Sequence, residues 1–447
     1  MKLTLKISAT IVLLLLISVY GYLYFRESRS YDQQVAKDAS VVYKLNVDGL
    51  LKTMAVDFIG NPGYYLKTKE KGGQKPDFSL PANVFVYSLK TKAPGTFFTE
   101  LALSDTTGLN AWLKRVLKIT DFAVQGAGNR VGTSSDRKIT VLNAGKTFAI
   151  AYSFKREAVL EELNDILGKK NRMEGGTPLM IALKKAKGHL SWTAAAGGGQ
   201  LNFKDGLAEI EGSFPTEGLD IPDQPRSMVE FADHALIKIR VNAGFKTSGM
   251  PKDLSLKGIS VQTDTLLKSY LGFAALEMGP AITQMDSLIA YEYNDDFEKV
   301  ATVQLKKVRV PKLKLSIGAR TAGLLAYLKE NQVISTEDRL NKELFPLYQV
   351  FSRTKNNIWQ LSTLENDPVN ETEAIRNTSK TNPDFFALTA DLRGIKAQQV
   401  FPLLNKWLKP FSHLKITAAK IDNGTARLNG TLEFEDKNIN AFIQMIQ

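Results

Sequence analysis

The residues of this chain that could do chemistry are few, and their spacing does not match a known catalytic site. It has three histidines, His189, His234 and His413. None of them has the spacing of a helical metal-binding pair. Gly145-Lys146-Thr147 ends like a phosphate-binding loop, but Thr140 occupies the position where that loop needs its first glycine. Ser135 and Lys138 have a Ser-x-x-Lys spacing without the Lys-Thr-Gly partner of acyl-enzymes. The sequence therefore predicts a protein that is not an enzyme and needs no cofactor or metal.

The most distinctive charged segment is a basic stretch, residues 306–314, that has the alternation of a β-strand. Val308 and Val310 alternate with Lys307 and Arg309, so we expect the two sets on opposite faces. The predicted basic contact surface consists of Lys307, Arg309, Lys312 and Lys314. Anionic lipid or anionic glycan would fit it. The alternative explanation is a solvated face whose lysines protect a strand edge.

The N-terminus carries an uncharged apolar run, residues 7–25, that predicts a transmembrane helix. At about 1.5 Å per residue it spans roughly 28 Å, close to the hydrocarbon thickness of a bilayer. Its tyrosines suit the headgroup layer. The predicted anchor residues are Ile7, Ile11, Leu13, Leu14, Leu15, Leu16, Ile17, Tyr20, Tyr22, Leu23 and Phe25.

Location follows from this run and its flanks. A cleaved secretory signal is the alternative, but the bulky residues 20–25 fit a cleavage site poorly. Lys2 and Lys6 favour a cytoplasmic N-terminus and a periplasmic or other extracytoplasmic body. The chain has no cysteine, which excludes a lipoprotein anchor and disulfides. For an exported body of net charge +12, we expect the membrane and envelope components as partners, and no nucleic acid.

Downstream of the anchor the pattern predicts an α+β body. Residues 147–154 alternate like a half-buried strand, and residues 159–167 follow at helical spacing. The same order of strand and helix recurs at 97–117, 312–328 and 384–408. Pro402 should interrupt the last of these helices. Residues 263–285 also have a broad apolar face and are expected to be helical. Antiparallel sheet units with helices packed on one face would bury this pattern.

Two internal similarities indicate a duplication of that body. Residues 109–114, Leu-Asn-Ala-Trp-Leu-Lys, match residues 404–409, Leu-Asn-Lys-Trp-Leu-Lys, at five of six positions. Residues 205–213 and 423–431 both begin with an Asp/Asn-Gly hairpin signal. The predicted organisation is an anchor with its flanks at 1–30, a first α+β domain at 38–225, and a second, related domain at 226–447.

A resemblance rests on the anchor and on the segment behind it, which reads Asp38-Ala39-Ser40-Val41-Val42-Tyr43-Lys44-Leu45-Asn46-Val47-Asp48-Gly49-Leu50. In this respect the chain resembles membrane-anchored envelope proteins of bacteria, which implies a periplasmic α+β body and no particular activity. We therefore expect a non-enzymatic module that binds an envelope protein or supports assembly near the membrane. The alternative is a carrier of lipid or another hydrophobic ligand, because helices over curved sheets can enclose an apolar cavity.

Overall fold

A computed structural model describes residues 20–65, 80–102, 109–125, 128–223, 229–247, 250–293, 297–369, 384–422 and 424–446. These residues form an α+β structure whose strands pair antiparallel, as the sequence predicts. The chain divides into two compact units. Unit 1 comprises residues 1–212 and 438–447, and unit 2 comprises residues 213–437.

The predicted anchor falls mostly on residues outside this description, including all of those from Ile7 to Ile17. Residues 20–30 are helical and are labelled α1. The side chains of Tyr20, Tyr22 and Phe25 in α1 are exposed, and Leu23 is exposed as well. Within the part of the chain that the structure describes, no helix combines the length and apolar character that crossing a membrane requires.

The strands and the remaining helices have the following bounds. The strands are β1 (Ala39–Asn46), β2 (Asn83–Leu89), β3 (Thr96–Ala102), β4 (Phe122–Gln125), β5 (Asn129–Thr133), β6 (Ile139–Ala144), β7 (Thr147–Ser153), β8 (Leu190–Ala194), β9 (Gly197–Lys204), β10 (Leu207–Pro215), β11 (Leu219–Asp220), β12 (Ile237–Val241), β13 (Gly244–Phe245), β14 (Asp253–Leu256), β15 (Ile259–Gln262), β16 (Tyr270–Tyr293), β17 (Lys299–Ala319), β18 (Phe351–Lys355), β19 (Ile358–Ser362), β20 (Asp384–Asp391), β21 (Phe411–Lys420) and β22 (Thr425–Phe434). The helices are α2 (Val47–Gly60), α3 (Leu109–Val116), α4 (Leu160–Leu167), α5 (Pro178–Lys185), α6 (Thr263–Ser269), α7 (Thr321–Glu330), α8 (Leu392–Gln398), α9 (Pro402–Leu408) and α10 (Ala441–Ile446).

Unit 1 is built on an antiparallel sheet in the order β4-β5-β6-β7-β3-β2-β1-β8-β9-β10, with β10 belonging to this unit up to Gly212. Helices α4 and α5 close its main core. Leu163 from α4 and Leu183 from α5 are buried in the same cluster as Phe85, Tyr87 and Phe98 of the sheet. At the start of helix α5 the Thr177 side chain accepts a hydrogen bond from the Met180 N–H, and Pro178 occupies the first turn.

Unit 2 is built on an antiparallel sheet in the order β18-β19-β17-β16-β12-β20-β21-β22. Two small two-stranded sheets, β11–β13 and β14–β15, are separate from it. The Asp391 carboxylate caps α8 by accepting a hydrogen bond from the Gly394 N–H at 3.1 Å. Pro402 starts α9 after a break, as the sequence predicts.

The helix expected over residues 263–285 is wrong for most of its length. Helix α6 ends at Ser269, and β16 begins at Tyr270. Tyr270, directly after the helix, is already extended, with φ −72° and ψ 131°, and Gly272 has a positive φ of 80° where the register of β16 against β17 shifts. The following residues pair with β12 on one side and β17 on the other, so their apolar residues fill both faces of a central strand. Such a run fits a buried strand as well as a helix.

Strands β16 and β17 continue beyond the rest of their sheet. β12 pairs with β16 only at residues 274–278, and β19 pairs with β17 only at residues 314–318. The two long strands remain paired from Ala281 with Pro311 to Tyr293 with Lys299. We call this two-stranded extension, residues 281–293 and 299–311, the ribbon. It is about 40 Å long at roughly 3.4 Å per residue.

Candidate partner-binding surface

Helix α2 follows directly from β1 in unit 1, and Asn46 sets its start. The Asn46 side-chain oxygen accepts a hydrogen bond from the Gly49 N–H at 2.8 Å, the geometry of an N-cap. The helix buries Val47, Leu50 and Asp57 on its inner side. A carboxylate on the buried side of a helix must be matched by donors, since an unpaired buried charge is costly.

Asp57 is 4% exposed and its carboxylate is fully matched. It accepts hydrogen bonds from the Asn61 side-chain amide at 2.7 Å, from the Asn440 backbone N–H at 2.7 Å, and from the Tyr65 hydroxyl. Burial, together with this carboxylate, raises the pKa of Tyr65 above its ordinary value. Burial and the same charge also raise the pKa of Asp205. The network therefore fixes α2 against the C-terminal segment of unit 1.

The outer side of α2 is largely apolar and also exposes Lys52. Four large side chains project from it, Leu51 (51% exposed), Val56 (67%), Phe58 (42%) and Ile59 (80%). We call these four residues the α2 apolar face. A surface helix ordinarily turns its charges outward and its apolar residues inward. In α2 the inner side buries Val47 and Leu50 beside a carboxylate, and large apolar side chains remain exposed on the outer side, as expected of a surface that contacts something else.

Helix α1 is attached to the first turn of α2. The Arg26 guanidinium lies 3.0 Å from the Asp48 carboxylate and also donates to the Leu80 carbonyl oxygen at 2.5 Å. The ion pair therefore joins α1 to the N-terminal turn of α2, whereas three residues of the α2 apolar face lie toward its C-terminal end.

Helix α9 of unit 2 is a weaker candidate. Its Leu403 and Trp407 are 86% and 75% exposed, whereas Trp112 of α3, the counterpart of Trp407 in the matching six-residue segment, is partly buried. Helix α9 has seven residues and none of them is buried. Helix α2 has fourteen residues and is held by a buried network, so it presents the better ordered surface.

His189 serves the local structure of unit 1. Its Nδ1 accepts a hydrogen bond from the Phe203 N–H at 2.9 Å, so its Nε2 carries the proton and lies 3.0 Å from the Thr53 hydroxyl. Burial lowers the pKa of this imidazole. His413 lies within β21, 3.6 Å from Asp391, whereas His189 precedes β8, so the two do not occupy equivalent strand positions. Among the described residues, no three histidine or acidic side chains are placed to hold a metal ion.

The four predicted basic residues lie on two faces of β17. Lys307 and Arg309 are exposed, whereas Lys312 and Lys314 share the strand parity of the buried Val310. The Lys314 ammonium lies 3.2 Å from the Asp367 carboxylate, which is 3% exposed. The structure therefore brings together Lys307 with Arg309 and Lys312 with Lys314, and does not join the two pairs. A contact role for these cations stays a prediction.

Two cavities bear on the carrier alternative. One in unit 2, of about 480 Å³, is bordered by Lys312, Lys314, Glu230, Asp233 and Glu277. One in unit 1, of about 320 Å³, is bordered by Tyr31, Val35, Met173 and Met180 together with Gln33, Arg172 and Glu174. The larger of the two is lined mainly by charges, which suits polar groups better than an acyl chain.

Sequence reasoning missed the α2 apolar face, although a signal for it exists. Residues 47–60 read Val-Asp-Gly-Leu-Leu-Lys-Thr-Met-Ala-Val-Asp-Phe-Ile-Gly, with apolar residues at more positions than one buried face can hold. That excess indicates a helix with two apolar contacts. Which side would be covered by its own fold could be decided only from the packing of unit 1.

No protein-family model matches the chain, and no curated protein matches it. Solved structures of TP0453 are similar to it at 10% sequence identity. Crystal form III aligns over 73% of this chain and 89% of that chain with a TM-score of 0.24. Crystal form IV aligns over 74% and 93% with a TM-score of 0.24. Likeness at these TM-scores carries no information about a shared fold or function.

Proposed function

We propose that this protein is a non-enzymatic, membrane-anchored protein of the cell envelope whose body binds a partner protein through the α2 apolar face. The observation that carries the proposal is the exposure of Leu51, Val56, Phe58 and Ile59 on a helix whose buried side holds a hydrogen-bonded carboxylate. Burying a large apolar side chain stabilises a contact by about 1.5–3 kcal/mol. Four such side chains exposed on one helix can supply the centre of a protein interface.

The predicted location supports a partner in the envelope. Helix α1, which contains the last predicted anchor residues, is joined to α2 by the Arg26–Asp48 ion pair. The α2 apolar face would then be presented close to the bilayer, where an envelope assembly partner could reach it. The body would act by holding that partner near the membrane and would supply no reaction of its own.

The carrier alternative requires a cavity lined by apolar side chains. The charged border of the 480 Å³ cavity and the mixed border of the 320 Å³ cavity do not favour that alternative. A carrier would enclose its apolar side chains in a cavity, whereas α2 exposes them on the surface. We therefore favour a binding module over a carrier.

A photo-crosslinking experiment tests the proposal in the full-length chain within its native membranes. A benzophenone amino acid at position 59, in place of Ile59, should give a discrete adduct with one envelope protein. The matched control carries the same group in place of Val124 on β4 of unit 1, a residue that is 75% exposed. It should give no such adduct.

A double substitution on the same helix completes the test of the proposal. Val56→Ser with Ile59→Ser should abolish co-purification of the crosslinked protein and leave the circular dichroism of the chain unchanged, since both side chains are exposed. Equal crosslinking at positions 59 and 124, or a partner retained by the double variant, would refute the proposal.

A further inference from the structure

The charged cavity of unit 2, of about 480 Å³, lies at the base of the ribbon, where β16 and β17 leave their sheet. It is lined by Glu277 of β16, by Lys312 and Lys314 of β17, and by residues 230–233, which precede β12. Glu277 pairs with Lys314 in the strand register, and directly opposite residues of an antiparallel pair project on the same face. A cavity of this size with convergent polar groups is typical of a small-ligand site.

The Glu277 carboxylate is buried in this cavity, and its charge is only partly matched. Glu277 is 7% exposed, and its Oε2 accepts a hydrogen bond from the Ala232 N–H at 3.3 Å. Among the described residues, no lysine, arginine or histidine forms an ion pair with it. A buried carboxylate without a cation is costly, because it has lost its hydration and gained no opposite charge. Glu277 therefore provides a place for a cation that enters the cavity.

The two lysines of the cavity differ in what they contact. The Lys314 ammonium lies 3.2 Å from the Asp367 carboxylate, which is 3% exposed, so its charge is matched within unit 2. The stem of Lys312 lies across Gly279, since a Cβ on that glycine would be 3.5 Å from the Lys312 Cδ. In the part of the chain that the structure describes, the Lys312 ammonium forms no ion pair. Lys312 is therefore the lysine that can bind an anionic group of a ligand.

Glu277 and Lys312 occupy diagonal positions of the two strands, because Lys312 pairs with the residue two positions after Glu277. Diagonal neighbours of an antiparallel pair lie about 7–8 Å apart. One negative and one positive side chain are therefore presented side by side to the same cavity. Phe231 also lines it, and the face of an aromatic ring attracts an ammonium. The exposed carboxylates of Glu230 and Asp233 add to that attraction.

We infer that this cavity binds a zwitterionic group, a primary ammonium linked to a phosphate or a carboxylate, with the ammonium against Glu277 and the anionic group against Lys312. A simple amine would leave Lys312 unmatched, and a simple anion would leave Glu277 unmatched. Two sources have the required chemistry, the headgroup of an ethanolamine lipid and a free solute such as an amino acid. The inference is independent of the partner of the α2 apolar face and gives unit 2 a ligand site of its own.

Isothermal titration calorimetry of the full-length chain in detergent tests the inference. O-phosphoethanolamine and glycine are the zwitterionic probes, and ethanolamine and inorganic phosphate are the probes with a single kind of charge. We expect saturable binding of at least one zwitterion. Its affinity should exceed that of ethanolamine and that of phosphate by about tenfold or more, because each single-charge probe loses one charge-assisted contact.

Charge-removing variants assign the binding to the cavity. Glu277→Gln keeps an acceptor for the Ala232 N–H and removes the charge, so it should fold normally and weaken zwitterion binding by about tenfold or more. Lys312→Gln should weaken it to a similar extent. Glu330→Gln on α7 and Lys306→Gln on β17 make the same chemical changes at exposed residues of unit 2 and should leave the affinity unchanged. The melting temperature of each variant reports whether it is folded.

Nanodiscs distinguish the two sources of the ligand. If a lipid headgroup is the ligand, phosphatidylethanolamine in phosphatidylglycerol nanodiscs should weaken the binding of the soluble zwitterion, because the lipid already occupies the cavity. If a free solute is the ligand, nanodiscs with and without phosphatidylethanolamine should give the same affinity. The inference is wrong if neither zwitterion binds, if a single-charge probe binds as tightly, or if Glu277→Gln or Lys312→Gln keeps full affinity. The crosslink expected at position 59 would be unaffected by that result, so the inference can fail while the proposed function stands.

Discussion

Two polar side chains, the buried Asp57 and the partly buried His189, organise the surroundings of α2 at the scale of single residues. Asp57 accepts from three donors, and His189 uses both of its ring nitrogens inside unit 1. Each replaces lost hydration with hydrogen bonds, so their removal costs more than the bonds themselves are worth. They explain how α2 can keep an apolar face exposed and still hold one orientation.

Asp57→Ala should destabilise unit 1 by about 2–4 kcal/mol, because the substitution leaves buried donors unpaired. Urea unfolding of the full chain, followed by hydrogen exchange of peptides from unit 1, measures the change. Glu161→Ala, at an exposed residue of α4, should shift unfolding by about 0.5 kcal/mol or less. Comparable losses for the two variants would mean that the Asp57 network does not stabilise the unit.

His189 gives unit 1 a sensitivity to acid. Burial lowers the pKa of the folded imidazole below its ordinary 6.5, so the unfolded chain binds the proton more readily. Stability is then fully present above the unfolded pKa and is lost as the pH falls from there toward the lowered native pKa. His189→Asn keeps an acceptor for the Phe203 N–H without titrating.

We therefore expect the melting temperature of the His189→Asn variant to fall less between pH 7 and pH 5 than that of the unsubstituted chain, in the window set by the ordinary histidine pKa of about 6.5. His234→Asn, at an exposed histidine, should leave the pH dependence unchanged. Identical pH profiles for all three proteins would exclude His189 as the titrating group.

Two strand-to-helix junctions use the same device at the scale of the element. Asn46 accepts from the Gly49 N–H at 2.8 Å at the start of α2, and Asp391 accepts from the Gly394 N–H at 3.1 Å at the start of α8. Each junction lies in a different unit. This shared cap is a further local likeness between the halves, and the duplication stays a prediction.

Asp391→Ala should cost unit 2 about 1 kcal/mol, because the N-cap bond to Gly394 is lost. Hydrogen exchange of the first-turn amides of α8 should accelerate accordingly. Asp391→Asn retains the side-chain acceptor and is the control, with exchange close to that of the unsubstituted chain. Equal acceleration in both variants would assign the effect to the carboxylate charge rather than to the cap.

A local sequence signal predicts where a helix begins or breaks when that signal has a single structural interpretation. Pro402 marks the break before α9, because proline cannot continue the backbone hydrogen bonds of a preceding helix. The helix predicted over residues 270–285 is wrong, because an apolar run fits either a helix or a strand that is covered on both faces. The strands that decide the question, β12 and β17, come from other parts of the sequence.

The candidate surfaces were harder to predict than the elements. Alternation correctly separates Val310 from Lys307 and Arg309, and the same parity assigns Lys312 and Lys314 to the other face. The pairing of Lys314 with Asp367 could not be read from the sequence, since 53 positions separate them. Exposure of the α2 apolar face likewise depends on which side of the helix meets the rest of unit 1.

At the scale of the whole molecule, the two units differ in whether they are formed by one continuous segment of the chain or by two. Unit 2 is continuous from residue 213 to residue 437, whereas unit 1 is completed by residues 438–447. Within unit 1 the Gly206 N–H donates to the Ile439 carbonyl oxygen at 2.8 Å, and the Phe203 and Phe442 rings lie 5.3 Å apart. Asn440 supplies the backbone donor to Asp57 at 2.7 Å.

Deletion of residues 438–447 should therefore damage unit 1 and spare unit 2. The truncated chain loses the Asn440 donor and the buried Ile439 and Ala441 side chains, so hydrogen exchange in α2 and β9 should accelerate by at least tenfold, equivalent to about 1.4 kcal/mol. Exchange in β20 and β21 should be unchanged. A matched fragment of residues 213–437 should fold by itself, and uniform acceleration across both units would show that they unfold as one.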